Sequence, residues 1–118
     1  MLNKINDRTF KFSLQIIKLY KHLTAEHEYI MSKQLLRSGT SIGANVEEAQ
    51  AAQSRKDFIS KMSIASKEAR ESKYWIRLLQ HSGYLVNFKE REDLLSEVSN
   101  IVNIITKIVK STKEREGR

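Results

Sequence analysis

The chain has no cysteine and no proline, and only 4 of its 118 residues are glycine. Without cysteine there are no disulfides, no thiolate metal ligands and no cysteine nucleophile. Without proline, and with so little glycine, the chain lacks the turn punctuation of an all-β sandwich or barrel, and helix is the default reading. Long apolar runs are also missing, since uninterrupted apolar stretches extend only a few residues. Neither a signal peptide nor a membrane span is expected, and a cytoplasmic location is the simplest expectation. The length suits one domain, which buries enough apolar surface to fold without a disulfide or a structural metal.

What is abundant is charge, and it is unevenly placed. The net charge is +7. Residues 1–24 carry five basic and one acidic side chain, residues 25–53 two and four, residues 54–83 seven and three, and residues 84–118 seven and six. The excess therefore sits in the first and third quarters, and clustered charge of this kind builds a surface that attracts polyanions.

One period runs through the whole chain. Leu94, Val98, Ile101, Ile105 and Ile108 alternate steps of four and three, with Leu95, Val102 and Val109 widening the stripe. Phe58, Met62, Ala65, Ala69, Ser72, Ile76 and Leu79 repeat the pattern, as do Leu35, Gly39, Ile42, Val46 and Ala49, and Ile5, Thr9, Phe12, Ile16, Leu19 and Leu23. These stripes predict four helices over about 6–23, 28–52, 55–82 and 88–113. Ser54 is the expected N-cap of the third, Gly83 its left-handed terminator, and Asn87 with Glu90 a capping box for the fourth. Lys107, Lys110 and Lys113 complement the dipole at the end of that helix. The links are short, which forces sequential helices to run antiparallel, so the fold class is all-α: a single up-down-up-down four-helix bundle spanning 1–118.

Catalytic and metal chemistry find little to stand on. Glu47, Glu48, Glu68 and Glu71 invite a carboxylate metal site, but the residues three before His22, His27 and His81 are Leu19, Thr24 and Leu78, so no Glu-x-x-His motif exists. No G-x-S-x-G elbow is present, and no enzyme, cofactor or metal is expected. Gly39 and Gly43 stand inside a helical pattern, where each costs about 1 kcal/mol against alanine. Close helix packing explains them, because no strand precedes them and no G-K-[S/T] follows, as a phosphate-cradling loop requires.

Two surface patterns carry functional hypotheses. Lys4, Arg8, Lys11 and Lys18 form a basic row on the first helix in which no acid intervenes, and Lys56, Lys67, Arg70, Lys73 and Arg77 form a second on the third helix. Such rows either neutralise nucleic-acid phosphates or are an ordinary solvated face. Ile64, Glu68, Glu71, Trp75 and Leu78 make a further row on the third helix, away from its main seam. A bundle of one chain is expected to expose it, for burial against another subunit or against a neighbouring helix of the same chain.

The stretch Leu36-Arg37-Ser38-Gly39-Thr40-Ser41-Ile42-Gly43-Ala44-Asn45-Val46-Glu47-Glu48-Ala49, followed by Asp57-Phe58-Ile59-Ser60-Lys61 and Ala65-Ser66-Lys67-Glu68-Ala69-Arg70-Glu71-Ser72-Lys73-Tyr74-Trp75, resembles the four-helix-bundle family of 23S rRNA intervening-sequence proteins. The accessory variability determinant proteins of diversity-generating retroelements are similar in fold. The resemblance implies a bacterial bundle that assembles as a ring, a homopentamer, with a basic surface that binds nucleic acid, RNA foremost. It also leaves open a protein-interaction adaptor, comparable to the retroelement proteins that cooperate with a reverse transcriptase. At the matching positions it implies polar pairing for Arg37, Glu47, Glu68 and Glu71, and tight packing for Ser38, Gly39 and Gly43.

Overall fold

The structure, a computed structural model, describes residues 2–116. Its four helices are α1 (Leu2–Ala25), α2 (Met31–Gln50), α3 (Arg55–His81) and α4 (Arg91–Glu116). Each packs on its chain neighbour, α4 closes back on α1 along the thinnest of the four seams, and among the described residues the backbones of the diagonal pairs stay apart. The cross-section is thus a square of antiparallel helices, in a body of 51 × 21 × 20 Å. None of the described helices is long and apolar enough to cross a membrane.

The four stripes face one core. Ile5, Phe12, Ile16, Leu19 and Leu23 meet Leu35, Ile42, Val46, Met62, Ile76, Leu79, Leu94, Val98, Ile101 and Ile105, all essentially sealed from water. Thr9 is sealed with them, and its hydroxyl donates to the Ile5 carbonyl oxygen at 2.8 Å, so burial leaves its one proton satisfied. Gly39 and Gly43 lie on the α1 side of α2. A Cβ on Gly39 would stand 2.8 Å from Ile16 Cγ1, and one on Gly43 would stand 3.3 Å from the Thr9 carbonyl oxygen. The missing side chains let the two helices approach closely.

Local chemistry sets the helix ends. Ser54 accepts from the Asp57 N–H at 3.0 Å, and Asp57 Oδ2 in turn accepts from the Gln53 N–H at 3.3 Å. At the other end of α3, Gly83 has φ +88, Tyr84 N–H donates to the Leu79 carbonyl at 3.0 Å and Gly83 N–H to that of Gln80 at 3.2 Å. That is a Schellman closure around glycine. The start of α2 uses a residue that the sequence pattern did not single out. Glu28 reaches forward, accepting from the backbone N–H groups of Ile30, Met31 and Ser32 at 3.3, 3.2 and 2.7 Å. Its negative charge also meets the positive end of the helix dipole.

The fourth helix begins later than the sequence pattern predicts. Arg91 is its first residue, not residue 88, and the Asn87–Glu90 capping box does not form. The reason lies in burial: Leu85 and Phe88 turn inward and are 1% and 4% exposed, so the chain between Gly83 and Arg91 winds through turns that seat both side chains. Phe88 packs against the His22 ring, centroids 5.3 Å apart.

Candidate nucleic-acid interface

Antiparallel packing decides which cations remain available. On α1, Arg8 forms a two-pronged pair with Glu97 of α4, Nε to Oε2 at 2.7 Å and Nη2 to Oε1 at 2.9 Å. Lys18 pairs with Glu90 at 2.5 Å, and Lys11 with Asp7 at 3.1 Å. The view of this row as free of acids is therefore corrected. Two of its partners come from the far end of the chain, brought alongside when α4 closes on α1. Lys18 holds the Glu90 carboxyl below the usual carboxylate range. Of the four, only Lys4 makes no ion pair among the described residues.

The α3 row behaves differently. Lys56, Lys67, Arg70 and Arg77 are exposed and Lys73 is half-buried. No carboxylate lies within ion-pair distance of any of the five among the described residues. Lys67 and Arg70 face Lys110 and Lys113 across a groove of about 620 Å³ between α3 and α4, floored by Ser63, Ser66, Thr106 and Val109. Glu114 stands in this groove without pairing to its cations. Periodicity assigns Lys110 and Lys113 only a dipole role, because their partners across the groove are set by the pairing of α3 with α4. Lys107 stands on the other flank of α4, where it shares a second groove of about 450 Å³ with Lys4, Arg8 and Arg115 over Ile5, Ile104 and Ile108.

With this geometry the sequence matches the 23S rRNA-intervening sequence proteins over residues 2–107. The chain belongs to that family. A solved structure of a protein of unknown function, from the S23 ribosomal protein family of Bacteroides thetaiotaomicron VPI-5482, is similar at a TM-score of 0.85 and 44% identity, covering 90% of this chain and 98% of that one. No curated protein matches the chain.

In this family member the Ile64–Leu78 row of α3 is largely engaged within the chain. Arg37 of α2 donates from Nη1 to Glu68 Oε2 at 3.0 Å and from Nη2 to Glu71, while the Trp75 indole N–H donates to Glu71 Oε2 at 3.1 Å. Glu68 is 8% exposed, so the expectation that a single bundle leaves this whole row open is corrected: Arg37 reaches across from α2 and covers its middle. Ile64 and Leu78 stay open. The Trp75 hydrogen bond, with help from Arg37, holds the Glu71 carboxyl below its ordinary range. Beneath them the Ser72 hydroxyl lies 2.9 Å from both Ser38 Oγ and the Glu68 carbonyl, a buried polar bridge between α2 and α3. Sequence reading missed a more exposed apolar row on α1, where Phe10, Leu14 and Ile17 are 60%, 53% and 37% exposed at steps of four and three. Among the described residues no three His, Asp or Glu side chains gather as metal ligands. Glu47 and Glu48 face solvent.

Proposed function

We propose that this chain is a non-catalytic, cytoplasmic nucleic-acid-binding protein that acts as an assembly of identical copies, a pentameric ring, with RNA as its principal ligand. The observation that carries the reading is the α3–α4 groove, where Lys67, Arg70, Lys110 and Lys113 converge with no carboxylate in ion-pair reach among the described residues. Unpaired lysine and arginine heads neutralise phosphates and displace the cations condensed on a nucleic acid, and the entropy of those released ions drives binding. Side chains of this kind position a backbone without reading its bases, so little sequence preference is expected. Four phosphate contacts give a salt slope of about −2.8 to −3.6, which lowers affinity roughly 50- to 150-fold between about 50 and 200 mM salt. A titration of structured RNA across that range tests it: a salt-independent affinity, or none at low salt, removes the reading.

Self-association has its own support in Phe10, Leu14 and Ile17, with Ile64 and Leu78 on the opposite side. Exposed apolar rows of this spacing seek cover, and assembly would place several basic grooves on one particle and raise avidity without new contacts. The adaptor reading rests on the same α1 row: if the chain stays monomeric, that row is the natural seat for a different protein.

A further inference from the structure

α4 occupies one corner of the square, and its outward row is polar and carries no acid. Ser96, Asn100, Asn103, Lys107 and Lys110 follow steps of four, three, four and three, and all five are exposed. None of these side chains is hydrogen-bonded within the chain among the described residues, so their amides, hydroxyl and ammonium groups all face water. Cations run along each flank of this ridge: Lys4 and Arg115, beside the Glu97-bound Arg8, toward α1, and Lys67, Arg70 and Lys113 toward α3, with Lys107 and Lys110 of the row itself lining the two grooves. Of the acids nearby, Glu97 is clasped by Arg8, Asp93 shares a cleft with Ser96 and Glu97 at the start of the ridge, and Glu114 closes the other end.

Two banks separated by the width of one helix, about 10–12 Å, suit two strands rather than one. The ridge between them then faces the groove that separates those strands, and the chemistry of its side chains selects the duplex. Each asparagine amide carries both a donor and an acceptor, and DNA offers them no sugar hydroxyl in either groove. The minor groove of A-form RNA is wide and shallow and presents 2′-hydroxyls at its surface, groups that an asparagine amide satisfies as both donor and acceptor. We infer that the α4 ridge is the seat of double-stranded RNA, with Asn100 and Asn103 bonding 2′-hydroxyls in the minor groove while the flanking banks neutralise phosphates of the two strands. This rests on the nucleic-acid reading above and narrows it to one helical form.

The test is fluorescence anisotropy at one fixed salt concentration, with duplexes of identical sequence made as RNA, as DNA and as fully 2′-O-methylated RNA. The expected result is an RNA duplex bound about tenfold tighter than DNA, on the scale of two neutral hydrogen bonds, with 2′-O-methylation removing most of the difference. Combined Asn100→Ala and Asn103→Ala should bring RNA affinity down to the DNA level and leave DNA affinity unchanged, with the helical circular-dichroism signal intact because both positions are solvent-facing. Equal affinity for RNA and DNA duplexes overturns the inference, as does an RNA preference that survives the double substitution. If the two duplexes bind alike and reversal of the α3–α4 cations still abolishes binding, the phosphate reading stands and only the duplex assignment falls. No binding to any of the three removes both.

Discussion

Glu28 does more for the fold than its place in a short link suggests. Its carboxylate satisfies three backbone N–H groups at the start of α2 while its own carbonyl accepts from Ser32 Oγ at 2.7 Å. Replacing Glu28 with alanine leaves those donors short of partners and removes a charge from the helix start, so a loss of about 1–2 kcal/mol is expected from chemical denaturation. Glu71 supplies a pH signature. Its folded pKa lies below the ordinary value of 4.5, so its contribution is full above that value and is lost as pH falls through the folded one. Wild type should therefore lose stability below about pH 4.5 faster than a Glu71→Gln variant, and parallel acid-denaturation curves would refute the role given to the Trp75 and Arg37 contacts. Capping at Ser54 was legible because hydroxyl, spacing and the following helix all lie within four residues. Capping by Glu28 was not, since it depends on a left-handed turn at His27, φ 65, which the sequence does not advertise.

At the scale of the elements, periodicity located each helix because a stripe is a property of one segment. It misplaced the start of α4 for the converse reason: Leu85 and Phe88 are core residues outside any helix, and no period marks them. Phe88→Ala should destabilise the bundle by about 3–5 kcal/mol in a urea melt, as for a buried core aromatic. A loss under about 1 kcal/mol would mean that the 82–90 segment is not part of the core. Charge is still less legible by segment. The acids that engage Arg8 and Lys18 lie 89 and 72 residues away along the chain, so a row that looks purely basic on α1 becomes a set of cross-helix pairs on folding. The α3 row escapes this because the adjacent stretch of α4 is itself basic.

The whole molecule is an elongated square bundle with a basic corner around α4 and apolar rows on α1 and α3. If the apolar rows are covered by sister copies, light scattering at micromolar concentration should give a mass of several subunits, and Phe10→Asp with Leu14→Asp should reduce it toward one chain of 13.7 kDa. A strictly monomeric wild type would turn the proposal toward the adaptor reading. The basic corner was legible only in half. Lysines and arginines on α3 were visible as a row, but their convergence with Lys110 and Lys113 follows from three-dimensional pairing. The central claim is that this convergence binds nucleic acid, and one comparison tests it most directly. Wild type and the Lys67→Glu, Arg70→Glu, Lys110→Glu, Lys113→Glu variant are titrated against structured RNA at low salt, beside a control carrying Lys11→Glu and Lys18→Glu. Salt-sensitive binding by wild type, abolished by the four groove reversals and largely retained by the control, is the predicted result; equal binding by wild type and the groove variant would contradict it.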